Sequence, residues 1–168
     1  MTLKYEIKFF DYWHLSSGLS AGAKLDSTVT KDKDNLPYAP GKTIKGLVRE
    51  IIEKETLDID FLHKCYFSNA TMQKDTQKQI IQNNLQDNLY DVIASTKIDE
   101  NGIAVDNSLR EIEVVIPFSI YGEILDIPSK DDFDKLEKAL KNIKRMGLNR
   151  NRGLGRCEFV DIKTEVIS

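Results

Sequence analysis

"PGKTIKGLVREIIEK", Pro40 to Lys54, is the stretch on which the fold turns. Its Gly41-Lys42-Thr43 is the closing triplet of a phosphate-binding P-loop, which would make the chain an α/β nucleotide binder. That motif needs a glycine five residues before Gly41, and Leu36 stands there. It also needs a hydrophobic strand feeding the loop, and the preceding "TKDKDNLPYAP" is polar. The P-loop reading fails. What remains is a helix from Thr43 to about Lys54, with Thr43 as N-cap and Ile44, Leu47, Val48, Ile51 and Ile52 on one face. Its first N–H groups, with Lys42, Lys45 and Arg49 beside them, suit an anion. An ordinary capped helix with a solvated basic face uses the same residues.

Upstream, "LKYEIKFF" alternates Leu3, Tyr5, Ile7 and Phe9 against Lys4, Glu6 and Lys8, as a strand with one buried face does. Between it and the helix runs a long segment rich in Gly, Ser and Asp, part of which, from Ala23 to Thr30, can pair as a short strand. Downstream, "CYFSNATM" reads as a short strand, and residues 73–95 as a loose helix or an excursion ordered by a ligand. Asn101-Gly102 is the strongest hairpin turn, followed by strands "REIEVVIP" and "FSIYGEILDI". Ser129 opens a second helix, with Phe133, Leu136, Leu140 and Ile143 as its stripe and Gly147 as its C-cap. "CEFVDI" is the last strand. Two helices among these strands are too few for a doubly wound sheet. The order predicts one α+β domain over 1–168, a ferredoxin-like (RRM-like) β-α-β-β-α-β core with an insertion at about 73–109.

The 168 residues carry a net charge of −3, so the chain as a whole is no basic nucleic-acid binder. The charge is local. "KNIKRMGLNRNRGLGR" holds Lys141, Lys144, Arg145, Arg150, Arg152 and Arg156 with no acidic residue, and Gly147, Gly153 and Gly155 let its backbone approach a ligand. Such a loop suits a phosphate backbone better than it suits an idle solvated surface. Asp26, near Asp32 and Asp34, is a solvated carboxylate or one that holds a metal or orients a 2′-hydroxyl. His14, between Trp13 and Leu15, reads as a packed histidine before it reads as a general acid or base. Tyr12 and Trp13 offer either core packing or a stacking face to a base. His14, His63, Cys65 and Cys157 lack zinc-ligand spacing, and the two cysteines suggest a reducing compartment. No signal-peptide pattern and no apolar run of membrane length is present, so a cytoplasmic protein away from membranes is expected.

Taken in order, "HLSSG", "LDSTVTKDKDNLPYAPGKTIKGLVRE", "STKIDENGIAVDNSLREIEVVIPFSIYGEI" and "MGLNRNRGLGRCEF" resemble the RAMP superfamily of CRISPR-associated proteins over nearly the whole chain. The match is nearest to the backbone subunit of type III effector complexes. The resemblance implies binding of CRISPR guide RNA and target RNA, contact with other effector subunits, and self-association along RNA, in antiviral defence. It implies that Lys42, Lys45 and Arg49 touch the guide backbone, that Arg150, Arg152, Gly153, Gly155 and Arg156 form an RNA-facing glycine-rich loop, and that about Gln82 to Leu109 form a thumb-like hairpin intruding between bases. It places the catalytic, metal-binding aspartate at Asp26, an endoribonuclease centre cutting target RNA with magnesium by attack of the 2′-hydroxyl on the adjacent phosphate. Thr28 stands where the family has proline, and the middle segment is short. The competing expectations are a non-catalytic structural RAMP subunit, a metal-independent processing endoribonuclease using His14, and a small-ligand ferredoxin-like domain.

Overall fold

A computed structural model describes residues 1–16, 27–55, 58–106, 108–151 and 153–165. The alternation in the first strand decides the core. In β1 (Thr2–Phe9), Leu3, Tyr5, Ile7 and Phe9 are all buried, and β1 lies at the centre of a four-stranded antiparallel sheet. Its neighbours are β5 (Ser119–Leu125), with Ile7 opposite Ile120, and β6 (Cys157–Glu165), with Ile7 opposite Phe159. The two-residue β2 (Tyr66–Phe67) completes the order β2-β5-β1-β6. Two helices share the core with the buried side chains of this sheet. In α1 (Gly41–Lys54), Ile44, Val48 and Ile52 are buried, and in α3 (Lys130–Asn142), Phe133, Leu136, Ala139 and Leu140. Each large apolar side chain so buried stabilises the fold by about 1.5–3 kcal/mol. β1, α1, β2, β5, α3 and β6 form the expected β-α-β-β-α-β ferredoxin-like core.

Between β2 and β5 stand α2 (Lys74–Gln82), a short 3-10 turn (Gln86–Leu89), and a separate ribbon of β3 (Tyr90–Ser95) paired with β4 (Arg110–Val115). At the ribbon's far end the Asn101-Gly102 turn is present. Asp99 Oδ1 accepts the N–H groups of Asn101 and Ile103, each at 2.9 Å, and Gly102 takes φ 78°.

Four local expectations need correction. α1 begins at Gly41, with Pro40 and not Thr43 in the N-cap position. Asn69, 28 residues on, caps it instead, its Oδ1 accepting the Gly41 N–H at 3.0 Å. α3 does begin at Ser129, whose Oγ accepts the Asp132 N–H at 3.1 Å, but it ends at Asn142, before Gly147. Lys144 to Met146 are drawn into pairing with 155–157 through Cys157 N–H to Lys144 O at 2.9 Å and Met146 N–H to Gly155 O at 3.0 Å. "REIEVVIP" is a strand outside the core sheet, and its partner Tyr90–Ser95 lies in the stretch expected as a loose helix or excursion, of which only Lys74–Gln82 is α-helical. β3 buries none of its residues fully, so it lacks the periodic apolar signal of a core strand. In "CYFSNATM" only Tyr66 and Phe67 form a strand; Ala70 and Thr71 make isolated bridges to Ala39 and Tyr121.

Candidate nucleic-acid interface

The chain leaving β1 joins three other regions. Phe10 N–H donates to Arg156 O at 2.9 Å, and Gly155 N–H donates to Tyr12 O at 2.8 Å. Trp13 and Val115 exchange two backbone hydrogen bonds, of 3.0 and 2.8 Å. Leu148 N–H donates to His14 O at 2.9 Å, and Thr30 N–H to Leu15 O at 2.8 Å. Residues 10–15 therefore hold the Gly/Arg loop, the base of the ribbon and the 27–31 segment in one place.

The glycines of the loop divide by what surrounds them. Gly147, at φ 94°, would bring a Cβ to 2.3 Å from His14 O, and Gly155, at φ 70°, to 2.0 Å from Met146 O. These two pin the ends of the loop against the domain. Gly153, at φ 95°, faces open space. Between the pins Arg150 is half-buried and near Glu50 of α1, whose carboxyl is held below the usual carboxylate range first by Lys54 and more weakly by Arg150. Arg156 is exposed, with Asp11 Oδ2 at 3.4 Å from its Nε.

Burial settles the reading of His14. It is fully buried, with Nδ1 against the Glu113 carbonyl and Nε2 3.0 Å from Ser27 Oγ. A carbonyl only accepts, so Nδ1 carries the hydrogen, and Nε2 is hydrogen-bonded to the Ser27 hydroxyl. Both nitrogens are engaged in holding Ser27 to the ribbon, as in a packed histidine. Glu113 extends this clamp. Its carboxylate accepts the Val29 N–H at 3.1 Å and pairs with Lys31 at 2.7 Å, and Lys31 Nζ sits 3.9 Å from the Tyr90 ring centroid. Asp32 Oδ1 accepts the N–H groups of Asp34 and Leu36, each at 2.9 Å, and so shapes its own turn. Trp13 is fully buried and stacked on Phe9 at 4.5 Å, so it offers no face to a base.

The expected RNA contacts fare differently from one another. Lys42 is exposed and has no side-chain partner among the described residues. Lys45 donates to Cys65 O at 3.2 Å, and Arg49 pairs with Glu53 at 2.8 Å. The structure thus separates Lys45, turned toward the β2 side, from Arg49, and brings Arg150 toward the middle of α1. Gly153 and Arg156 are exposed and Gly155 is buried. Asp26, expected as catalytic and metal-binding, and Arg152 lie outside the described residues. Among the described residues no three His, Cys, Asp or Glu side chains come together as metal ligands. Two residues escaped the sequence reading. One is Asn69, which caps α1 from a distance and leaves no local pattern. The other is Phe10, exposed at the end of β1 with Arg156 Cζ 5.3 Å from its ring centroid. Extending the alternation past Phe9 puts Phe10 on the outer face, a signal the sequence does carry.

Comparison with known proteins agrees with this architecture. Among the described residues no helix is long and apolar enough to cross a membrane. No curated protein matches the chain in sequence. Two solved chains share its fold with a TM-score of 0.72 at 12% identity, over 95% of this chain and 96% of theirs. They come from structures described as "Cryo-EM structure of the Type III-B Cmr-beta bound to cognate target RNA" and "Type III-B Cmr-beta Cryo-EM structure of the Apo state". The family model of the RAMP superfamily matches residues 6–158. With the fold and nine-tenths of its sequence in agreement, the chain belongs to the RAMP superfamily.

Proposed function

We propose that the chain is a guide-RNA-binding backbone subunit of a type III CRISPR effector complex, and that it cuts target RNA paired to the guide. The observation that carries this reading is the Gly/Arg loop, whose ends are pinned at Gly147 and Gly155, with Arg150 between them and Arg156 held by the backbone bond from Phe10. Fixed cations pay less ordering entropy on meeting a phosphate chain than mobile ones. The resemblance in fold to chains of Cmr-beta, described in one structure as bound to cognate target RNA, supports the same reading. Lys42 at the start of α1 adds a phosphate contact. The ribbon tip exposes Ile98, Ile103 and Leu109, an apolar wedge of the kind that separates stacked bases. Neighbouring copies and other effector subunits complete the assembly along the guide.

Cleavage is assigned to Asp26, which orients the 2′-hydroxyl of the target for attack on the adjacent phosphate. The bond to the 5′-oxygen breaks, leaving a 2′,3′-cyclic phosphate and a 5′-hydroxyl. Magnesium held by Asp26 would neutralise charge on that phosphate. Ser27, the next residue, is tied by its side chain to His14 and by its carbonyl to Glu113 N–H at 3.1 Å, which fixes one end of the segment bearing Asp26. The test is cutting of guide-paired and free RNA by assembled complexes carrying wild type or Asp26→Ala, with and without magnesium. Magnesium-dependent cutting of paired RNA, lost in the variant while binding persists, is expected. Equal cutting by both proteins overturns the assignment of Asp26. Binding without cutting in either leaves a structural RAMP subunit.

A further inference from the structure

Phe10 is 40% exposed where β1 ends, beside an open groove of about 380 Å³ that it lines with Lys144, Arg156, Cys157 and Glu158. A single exposed phenylalanine is commonplace. The setting of this one is not. Arg156 Cζ lies 5.3 Å and Lys8 Nζ 5.7 Å from the ring centroid, so a cation of β1 and one just ahead of β6 converge on one aromatic ring. Arg156 is held there twice, by Asp11 Oδ2 at 3.4 Å and by the backbone bond from Phe10 N–H to its own carbonyl. The groove opens beside the Gly/Arg loop, because Gly155, next to Arg156, is bonded to Tyr12 O.

From this arrangement we infer that Phe10, with the Arg156 guanidinium, is a stacking platform for one nucleobase of single-stranded RNA. The inference rests on the RNA-binding reading above and deepens it. Phenyl rings and guanidinium planes are the two protein surfaces on which unpaired bases stack, and the contact tolerates any base because every base has a π-face. Glu158 in the groove lining and Asp11 beside Arg156 only partly offset the cations Lys8, Lys144 and Arg156, so the exposed ring and not the charge selects the base. Glu158, at the groove wall, supplies an acceptor for an N–H of the base edge. The base therefore enters the groove, and its phosphate lies outward toward the Gly/Arg loop.

The experiment is equilibrium binding of the full chain to a single-stranded RNA containing 2-aminopurine, followed by fluorescence across a salt series. Wild type, Phe10→Ala, Phe10→Leu, Phe10→Trp and Lys42→Ala are compared. Phe10→Ala and Phe10→Leu are expected to bind about tenfold more weakly with an unchanged salt slope, because a stacking contact releases no counterion. Phe10→Trp keeps the affinity and quenches the probe. Lys42→Ala lowers both affinity and slope. Phe10→Leu keeps apolar bulk at a surface position, so its thermal stability controls for folding. If wild type binds with the usual salt dependence and Phe10→Ala or Phe10→Leu binds equally well, the platform is overturned and the RNA-binding reading stands. If wild type shows no salt-dependent binding, both fall. If the Phe10 variants lose affinity only for a protein partner, the groove is a protein-docking site and the inference is wrong.

Discussion

At the start of α1, Gly41 is buried where a Cβ would stand 2.0 Å from Phe67 O, its N–H is taken by Asn69, and Lys45 bonds inward to Cys65 O. In the 146–156 loop, Gly147 and Gly155 are just as tightly enclosed, but between them Arg150 is only half-buried and Gly153 is open. The two stretches use the same letters, glycine beside lysine or arginine. In the first they mainly join a helix to an edge strand, and only Lys42 is left for an external anion. In the second they pin the two ends of a loop and leave Gly153 and Arg156 exposed. A glycine's part is told by what a Cβ would meet, and a cation's by what already holds it.

The comparison predicts its largest effect at Gly155. Gly155→Ala combines a left-handed backbone with a backbone clash, and should cost about 3 kcal/mol or more, a fall in Tm of roughly 10 °C. Gly153→Ala, with the same sign of φ and no neighbour, should cost about 1 kcal/mol. Equal losses in thermal melts would erase the distinction drawn between pinned and open glycines. Next, Arg150→Ala should weaken RNA binding about five- to tenfold and reduce its salt slope by about one. Arg49→Ala, already paired with Glu53, should change binding less. A larger loss at Arg49 would invert the ranking of the two regions. Smaller again, Asn69→Ala should destabilise by about 1 kcal/mol through the lost cap, seen as a lower denaturant midpoint with RNA affinity intact.

The last prediction concerns the strand that follows the loop. Burial pushes the Cys157 thiol up to about 12 from an ordinary value of 9.0. The folded state therefore keeps its proton where the unfolded chain loses it. Stability from this group is whole below about pH 9 and falls as the pH rises from about 9 toward 12. Cys157→Ala should flatten that alkaline decline in urea titrations, and a thiol reagent at pH 8 should modify wild type only on unfolding.

Much of the core was legible because its signal is local and periodic. Leu3, Tyr5, Ile7 and Phe9, and the stripes Ile44-Val48-Ile52 and Phe133-Leu136-Leu140, are buried as their spacing implies. The Ser129 cap and the Asn101-Gly102 turn were legible for the same reason. The errors lie where distant residues decide. Asn69 overrules Thr43 as the cap of α1, and pairing of 144–146 with 155–157 ends α3 ahead of Gly147. β3 escaped notice because a two-stranded ribbon with little burial leaves its composition free of the alternation that marks a core strand. Of the candidate site, the Gly/Arg loop could be seen in the sequence as a cluster of charge. That Phe10 turns outward follows from the alternation of β1, but that Lys45 turns inward to Cys65 O depends on packing against β2.

The central place of β1 bears on how the chain reaches its fold. Leu3 pairs with Ile124 on one side and with Thr164 on the other, so both neighbours of β1 lie far along the chain from it. Contacts of such sequence separation are slow to form. During synthesis both edges of β1 stay unpaired until β5 and then β6 are made, and unpaired strand edges are open to aggregation in that interval.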